Sequence, residues 1–152
     1  MRAQPARLSR IVCVVGMVAL VASCGGSSSG EVTIENVVSE DLDGGSFTAT
    51  GSMICEAGDV DTTAFDIGET LWWYEDVYRC ADNSGSFTLR GELPLNPSNW
   101  GDDGPTEDLE GTWTLTGRSG DYGNLEGGGT VVVDFEPDWV ESYVGELSEV
   151  DE

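Results

Sequence analysis

Apolar and polar residues alternate with a period of two along most of the chain beyond residue 30. In residues 47–55, apolar side chains alternate with small and hydroxyl-bearing ones, as in a β-strand that buries one face. No segment of this part carries an apolar stripe with the 3.6-residue period of a helix over a useful length. The sequence therefore predicts an all-β fold.

Short strand-like runs follow one another, separated by clusters of Gly, Asp, Asn and Pro. They cover residues 32–37, 47–55, 71–79, 87–93, 112–116, 130–135 and 139–144. This spacing is typical of a small antiparallel β-barrel, with a β-sandwich as the alternative. We expect the barrel, since closure leaves no strand edge exposed.

The pattern at the N-terminus is different and indicates an export signal. Three arginines precede residue 11, and residues 11–22 form an apolar stretch too short for a comfortable membrane span. The next residues, Val21-Ala22-Ser23-Cys24, resemble the lipobox of bacterial lipoproteins. The resemblance implies cleavage before Cys24 and a diacylglyceryl, palmitate-bearing anchor on its sulfur. An ordinary secretory signal cleaved nearby and a retained anchor helix are the alternatives.

These patterns divide the chain into four parts. We predict a lipoprotein signal peptide over residues 1–23, a lipidated Cys24 with a flexible Gly/Ser tether over 24–30, a β-barrel domain over 31–145, and an acidic tail over 146–152. Cleavage before Cys24 leaves 129 of the 152 residues, enough for one domain. We expect the protein on the extracytoplasmic face of the cell membrane, where two acyl chains make a stable anchor.

Two cysteines remain once Cys13 has left with the signal peptide and Cys24 carries lipid. In an oxidising exported setting, Cys55 and Cys80 most simply form a disulfide, with a reactive or metal-bound thiol as the alternative. If the runs 47–55 and 71–79 formed a plain hairpin, however, the two cysteines would lie about 30 Å apart, whereas a disulfide needs Cα atoms within roughly 7 Å. Either residues 56–69 cross the barrel end and return, or the two strands are not simple neighbours.

The net charge of the chain limits the classes of partner that it can bind. The mature chain keeps three arginines against 29 acidic residues, a formal charge of −26, and it has no lysine. Such a charge repels nucleic acid and anionic membrane surfaces, so the lipid has to hold the protein at the membrane. Solubility in a salty medium explains the charge most simply, and attraction of cations or of a basic protein partner is the alternative.

The most distinctive segment, residues 111–130, reads GTWTLTGRSGDYGNLEGGGT. It resembles the strand, glycine-rich turn, aromatic residue and second strand of small secreted bacterial proteins similar to the allene oxide cyclase and dirigent barrels, and residues 86–89 resemble them too. The resemblance implies a barrel and carries no catalytic residue set.

The glycines of this segment have physical roles in that reading. We expect Gly117, Gly120 and Gly123 to permit positive φ in a tight connection, beneath which Tyr122 and Leu125 pack. We also expect Gly127 and Gly129 to allow a bend or a close backbone approach.

Catalytic side chains are scarce. The chain has no histidine, which excludes Ser-His triads and His metal sites, and neither a Schiff-base lysine nor a phosphate loop is present. We therefore predict no cofactor. Glu75 and Asp76 are adjacent acids, but neighbours on a strand point to opposite faces and cannot flank one bond.

Aromatic residues supply the remaining candidates. Trp72, Trp73, Tyr74 and Trp113 could line a pocket for a small apolar or carbohydrate ligand, since a barrel of this size can hold one small molecule. Alternatively, these side chains simply fill the barrel.

Two groups of acidic residues are candidates for a calcium-binding site. Asp102, Asp103, Glu107 and Asp108 cluster in a Gly/Pro-containing loop together with Glu110, and a second group comprises Asp59, Asp61 and Asp66. Neither matches calcium-loop spacing, and we expect solvated loops and no metal site.

Three functional hypotheses follow. The first is a lipid-anchored, non-enzymatic domain with a structural or interaction role. The second is a binding module with an aromatic-lined barrel, and the third is a barrel enzyme.

Overall fold

The computed structural model describes residues 28–39 and 44–150. The predicted signal peptide and Cys24 lie outside these residues. Within the described part, no helix is long and apolar enough to cross a membrane.

The described chain consists of strands joined by turns. The strands are β1 Ser29–Val38, β2 Gly44–Thr50, β3 Ala57–Ile67, β4 Leu71–Cys80, β5 Gly85–Pro94, β6 Trp100–Gly101, β7 Gly104–Pro105, β8 Leu109–Gly120, β9 Leu125–Asp134 and β10 Val140–Glu149. Eight of them close into an antiparallel barrel in the order β1-β10-β9-β8-β5-β4-β3-β2, and β6 pairs with β7 alone. The predicted all-β barrel is confirmed, and the sandwich alternative is not adopted.

The barrel is a meander in which sequence neighbours are also neighbours in space, with the β6–β7 hairpin inserted between β5 and β8. Pairing of β1 with β10 closes it, from Ser29 opposite Ser148 to Val37 opposite Val140. We call the end at which β1 begins and β10 finishes the proximal end. The end at which β1 finishes and β10 begins is the distal end.

One strand of the barrel is not predicted by the sequence. β3 occupies Ala57–Ile67, within the predicted connection, and β2 stops at Thr50 because the chain turns away at Gly51, whose φ is 132°. Outward-facing acids such as Asp59 and Asp61 give β3 little apolar alternation, so it resembles a solvated loop in sequence.

The missing strand resolves the position of the two cysteines. Because β3 lies between β2 and β4, the runs that we expected to pair are not neighbours, which was the second of our two alternatives. Gly58 pairs with Cys80, which brings Cys55 to the end of β4, where the two cysteines form a disulfide with their Cα atoms 5.8 Å apart.

Both ends of the predicted barrel domain extend further than expected. β1 includes Ser29 and Gly30 of the predicted tether, and β10 includes residues 146–149 of the predicted acidic tail. The two extensions pair with each other, and buried Leu147 explains why this acidic segment stays in the sheet.

Aromatic rings fill the middle and the proximal part of the barrel. Tyr78 stacks on Phe87 with ring centroids 5.0 Å apart, and Phe47 meets Tyr78 edge-on at 5.1 Å. Toward the proximal end, Tyr122 packs edge-on against Phe87, and its hydroxyl oxygen lies 3.3 Å from the Cys80 sulfur. The disulfide and Tyr122 therefore close this end of the barrel.

The glycine-rich segment adopts part of the expected geometry. Tyr122 and Leu125 are buried, and Gly120 has a φ of 65°. Gly117 and Gly123, in contrast, do not have positive φ, so that expectation was wrong for them.

The position of the Trp113 ring explains why β9 and β10 carry glycine at residues 129 and 145. Gly129 pairs with Gly145, and a Cβ on either residue would come within 3 Å of the Trp113 ring. The indole lies across this glycine pair and donates a 3.2 Å hydrogen bond to the Val144 carbonyl. The expected close approach at Gly129 is confirmed.

Removal of the disulfide tests the closure of the proximal end. Because the bond closes a loop of 25 residues, we expect the Cys55→Ala/Cys80→Ala variant to lose roughly 3 kcal/mol in the free energy of unfolding. Urea denaturation measures the loss. Reductant should destabilise the wild-type protein and leave the variant unchanged, whereas equal stability of the two proteins would show that the crosslink has no role.

Candidate functional site

A cavity of about 130 Å³ lies inside the distal end of the barrel. Its apolar wall consists of Val38, Phe65, Ile67, Trp72 and Trp139. Aromatic side chains are present at this level too, but they leave this space unfilled.

A β-bulge places two of these wall residues. Thr62 pairs with Asp76 but Ala64 pairs with Glu75, so one extra residue of β3 lies between the two pairs. The shift turns Phe65 and Ile67 toward the interior, opposite the inward-facing residues of β4. Phe65 is nevertheless 65% exposed and Ile67 46% exposed, since both lie at the mouth.

Aromatic rings surround Trp72 at this mouth. The Trp72 ring centroid lies 5.6 Å from that of Trp139, 5.9 Å from that of Trp100 and 6.2 Å from that of Phe135. Trp100 comes from the β6–β7 hairpin, so this insertion covers part of the distal end.

The base of the cavity is polar. Thr62, Tyr74, Asp76 and Glu141 line it, and both carboxylic acids are almost fully buried, at 2% and 3% exposure. Asp76 comes from β4 and Glu141 from β10, on opposite sides of the barrel order. Closure of the sheet therefore brings together two acids that are 65 residues apart.

A chain of hydrogen bonds holds Glu141. Its Oε2 accepts a 2.9 Å bond from Asn36 Nδ2 and a 2.7 Å bond from the Tyr143 hydroxyl. The Tyr74 and Tyr143 hydroxyl oxygens lie 3.0 Å apart. Because the Tyr143 hydroxyl donates its hydrogen bond to Glu141, the Tyr74 hydroxyl is the donor to Tyr143.

Asp76 has fewer partners. Thr62 and Glu141 lie within hydrogen-bonding reach of its carboxyl group, yet Asp76 Oδ1 is buried without a partner. The same holds for Asn36 Oδ1, next to Glu141, and for the indole N–H groups of Trp72 and Trp139. Unpartnered buried polar atoms are uncommon in folded proteins, and here most of them belong to residues of the cavity.

Burial raises the pKa of both acids. Loss of hydration is the main cause for each, and it raises the pKa of Asp76 to about 6. It raises the pKa of Glu141 to about 8, with the negative charge of Asp76 as the second cause. No arginine of the described chain is among the causes of either shift. With one pKa below and one above 7, the pair holds about one proton and one negative charge at neutral pH.

The predicted ligand-binding aromatics lie in three different places. Trp72 and Tyr74 line the cavity. Trp73 is on the outer face, where the Arg90 guanidinium lies 4.2 Å above its ring. Trp113 is buried over the glycine pair and does not line the cavity.

The adjacent acids of β4 also separate as expected. Asp76 faces the interior, whereas Glu75 faces outward and lies 3.5 Å from Arg90. The partner of Asp76 is Glu141, which is not among the site residues predicted from the sequence. Its alternation with Tyr143 in the last strand was the available signal, since it places an acid on the buried face.

The first group of calcium candidates lies on the surface, and the second group, Asp59, Asp61 and Asp66, lies on β3 and not in a loop. Asp102, Asp103, Glu107 and Asp108 are all exposed around the β6–β7 hairpin. In residues 28–39 and 44–150, no three acidic or sulfur ligands converge on a point where they could hold a metal ion.

Comparison with known proteins does not assign the chain to a family. No protein-family model matches the sequence, and neither the curated proteins nor the solved structures provide a match.

The raised pKa values make stability depend on pH. A carboxyl group whose pKa is higher in the folded state stabilises the fold when protonated, and this contribution is lost as pH rises toward the folded pKa. Ordinary carboxyls are already ionised near pH 5. We therefore expect the free energy of unfolding to fall between about pH 5 and pH 8, where Asp76 and Glu141 ionise.

The Glu141→Gln variant isolates this effect, because an amide oxygen can accept the same two hydrogen bonds without a charge. We expect it to flatten the pH profile and to exceed the wild-type stability at pH 8 by roughly 1 kcal/mol or more. Glu146→Gln removes an equal charge from the outer face of β10 and should keep the wild-type slope. Parallel profiles for all three proteins would contradict the assignment.

Proposed function

We propose that this protein is a small-molecule-binding domain, held outside the cytoplasmic membrane by lipid on Cys24, whose distal cavity takes one small ligand. The observation that carries the proposal is a cavity of about 130 Å³ with an apolar wall and a buried acid pair at its base. Apolar walls with a few convergent polar groups are the usual composition of ligand sites.

The size of the cavity limits the ligand. An engineered protein cavity of about 150 Å³ holds a molecule of benzene, and eight-stranded barrels can enclose one small ligand. The cavity therefore suits a molecule of about one ring or a short branched chain, with its polar group directed at Asp76 and Glu141.

A purely structural role accounts less well for the acid pair. Replacement of buried ionic groups by well-packed apolar residues is often neutral or stabilising, so a barrel selected only for stability has no use for Asp76 and Glu141 in its interior. The resemblance of residues 111–130 to allene oxide cyclase and dirigent barrels fits this architecture and adds no ligand.

The position of the mouth fits an anchored receptor. β1 has ten residues, about 30 Å along the strand, and separates the proximal end from the cavity. From Cys24 to Ser28 the chain can extend at most about 14 Å. A lipid on Cys24 would thus keep the proximal end next to the membrane and direct the mouth toward the aqueous side.

Filling the cavity tests the binding proposal. Val38 lines the cavity, whereas its neighbour Val37 is on the outer face. With benzyl alcohol as the probe, we expect Val38→Phe to weaken binding at least tenfold and Val37→Phe to change it less than threefold. Tryptophan fluorescence and calorimetry report the affinity, and equal affinities of the two variants would contradict the proposed site.

The anchor has its own test. If Cys24 carries the lipid, the membrane-bound protein lacks residues 1–23 and has the mass of a diacylglyceryl-modified chain. Cys24→Ser should abolish acylation and membrane attachment, while Cys13→Ser should leave both unchanged. Intact-mass spectrometry that shows an unmodified Cys24 behind an uncleaved leader would refute the lipoprotein proposal.

A further inference from the structure

We propose that the ligand of the distal cavity is a small organic ammonium ion, bound by the acid pair Asp76 and Glu141 as its counter-ion and enclosed by the aromatic wall. This inference rests on the proposed binding function and specifies the chemical class of the ligand.

The first observation is a buried acceptor without a partner at the base. Asp76 lines the cavity and its Oδ1 has no partner, while Glu141 Oε2 already accepts two bonds. A group that donates several hydrogen bonds from one atom suits this arrangement. An ammonium group carries up to three N–H donors and no acceptor.

The second observation is the composition of the wall. Trp72, Trp139, Tyr74 and Phe65 supply four aromatic side chains around the cavity. The faces of such rings attract organic cations, and the attraction grows when the cation is shielded from water. An apolar ligand without charge would use the wall but would leave Asp76 Oδ1 without a partner.

The third observation is that none of the arginines in residues 28–39 and 44–150 lies inside the barrel. Of the arginines in the described chain, Arg79 pairs with Asp61, and Arg90 pairs with Glu75 and Glu92 on the outer surface. Arg118 is exposed, and no arginine is among the causes that shift the pKa of either acid. A buried carboxylate without a cation partner is costly, and a cationic ligand would remove that cost.

Ionisation of the pair gives the inference a pH signature. The groups that face the acids are Asn36 and Thr62, which do not titrate, and three tyrosines. Burial raises the pKa of Tyr74, Tyr78 and Tyr143 well above 10, so these side chains stay neutral below pH 9. Between pH 5 and pH 8, Asp76 and Glu141 are therefore the groups around the base whose charge changes.

Two isosteric probes separate this inference from the broader binding proposal. Benzylammonium and benzyl alcohol share the ring and differ in the polar group, and the amine stays protonated up to pH 8. We would titrate each into the purified lipid-anchored protein by calorimetry, with detergent alone as the blank and 0.15 M sodium chloride to screen the outer surface.

We expect benzylammonium to bind at least tenfold more tightly than benzyl alcohol at pH 8. Its affinity should fall at least tenfold at pH 5, where the pair is protonated, while that of the alcohol changes less than threefold. A neutral ligand would instead rely on the indole N–H donors of Trp72 and Trp139. Equal or tighter binding of the alcohol would overturn the ammonium class and leave the binding function standing, and binding of neither probe would overturn both.

Variants locate the effect at the acid pair. Asp76→Asn should remove the preference for benzylammonium and its pH dependence, and Glu141→Gln should reduce both. Asp66→Asn removes the same charge from an exposed position of β3 and should behave as the wild type. An unchanged preference in a folded Asp76→Asn protein would refute the inference, and the wild-type pH titration decides the case if that variant does not fold.

Discussion

Closure of the sheet by the pairing of β1 with β10 is the interaction on which the rest of the structure depends. It joins the first and the last strand over nine residue pairs and converts a meander with two free edges into an enclosed interior. Glu141 on β10 meets Asn36 on β1 only because of this pairing. The cavity, its polar base and the separation of the two barrel ends all follow from it.

The acid pair is the least expected part of that interior. Hydration lost on burial is the main cause of both raised pKa values, so the fold bears a cost for holding Asp76 and Glu141 there. Hydrogen bonds from Asn36 and Tyr143 offset part of the cost at Glu141, but Asp76 keeps an unpartnered oxygen. Strongly perturbed acids in a cleft are more typical of functional sites than of structural cores. We therefore favour ligand binding over a structural role.

The sequence predicted the architecture because alternation records which face of a strand is buried. It failed where the alternation is broken for a physical reason. β3 was missed since its outward residues include Asp59 and Asp61 and a bulge near Thr63 shifts its inward face. Glu141 was missed because a carboxylic acid on the buried face contradicts the rule that acids face solvent.

The aromatic residues of β4 are a second case in which the sequence alone does not decide which side chains face the interior. Trp72, Trp73 and Tyr74 are adjacent in sequence, and only the register of the closed sheet decides that the first and third face inward. Trp73 instead packs under Arg90 on the outer face, where it contributes to the surface and not to the cavity. The aromatic composition identified β4 as the segment that lines the cavity, and strand pairing determines which of its residues do so.

The disulfide and the acid pair have opposite effects on stability. At the proximal end, the disulfide contributes roughly 3 kcal/mol, and Tyr122 packs on Phe87 beside it. The effective penalty for a buried ion is several kcal/mol, a similar magnitude and of opposite sign. The disulfide closes the proximal end at Cys80, whereas Asp76 lies in the middle of β4 and Glu141 near the start of β10. The crosslink can therefore offset the cost of the acid pair without restricting its geometry. A hollow, partly charged distal end is therefore compatible with a domain of this size.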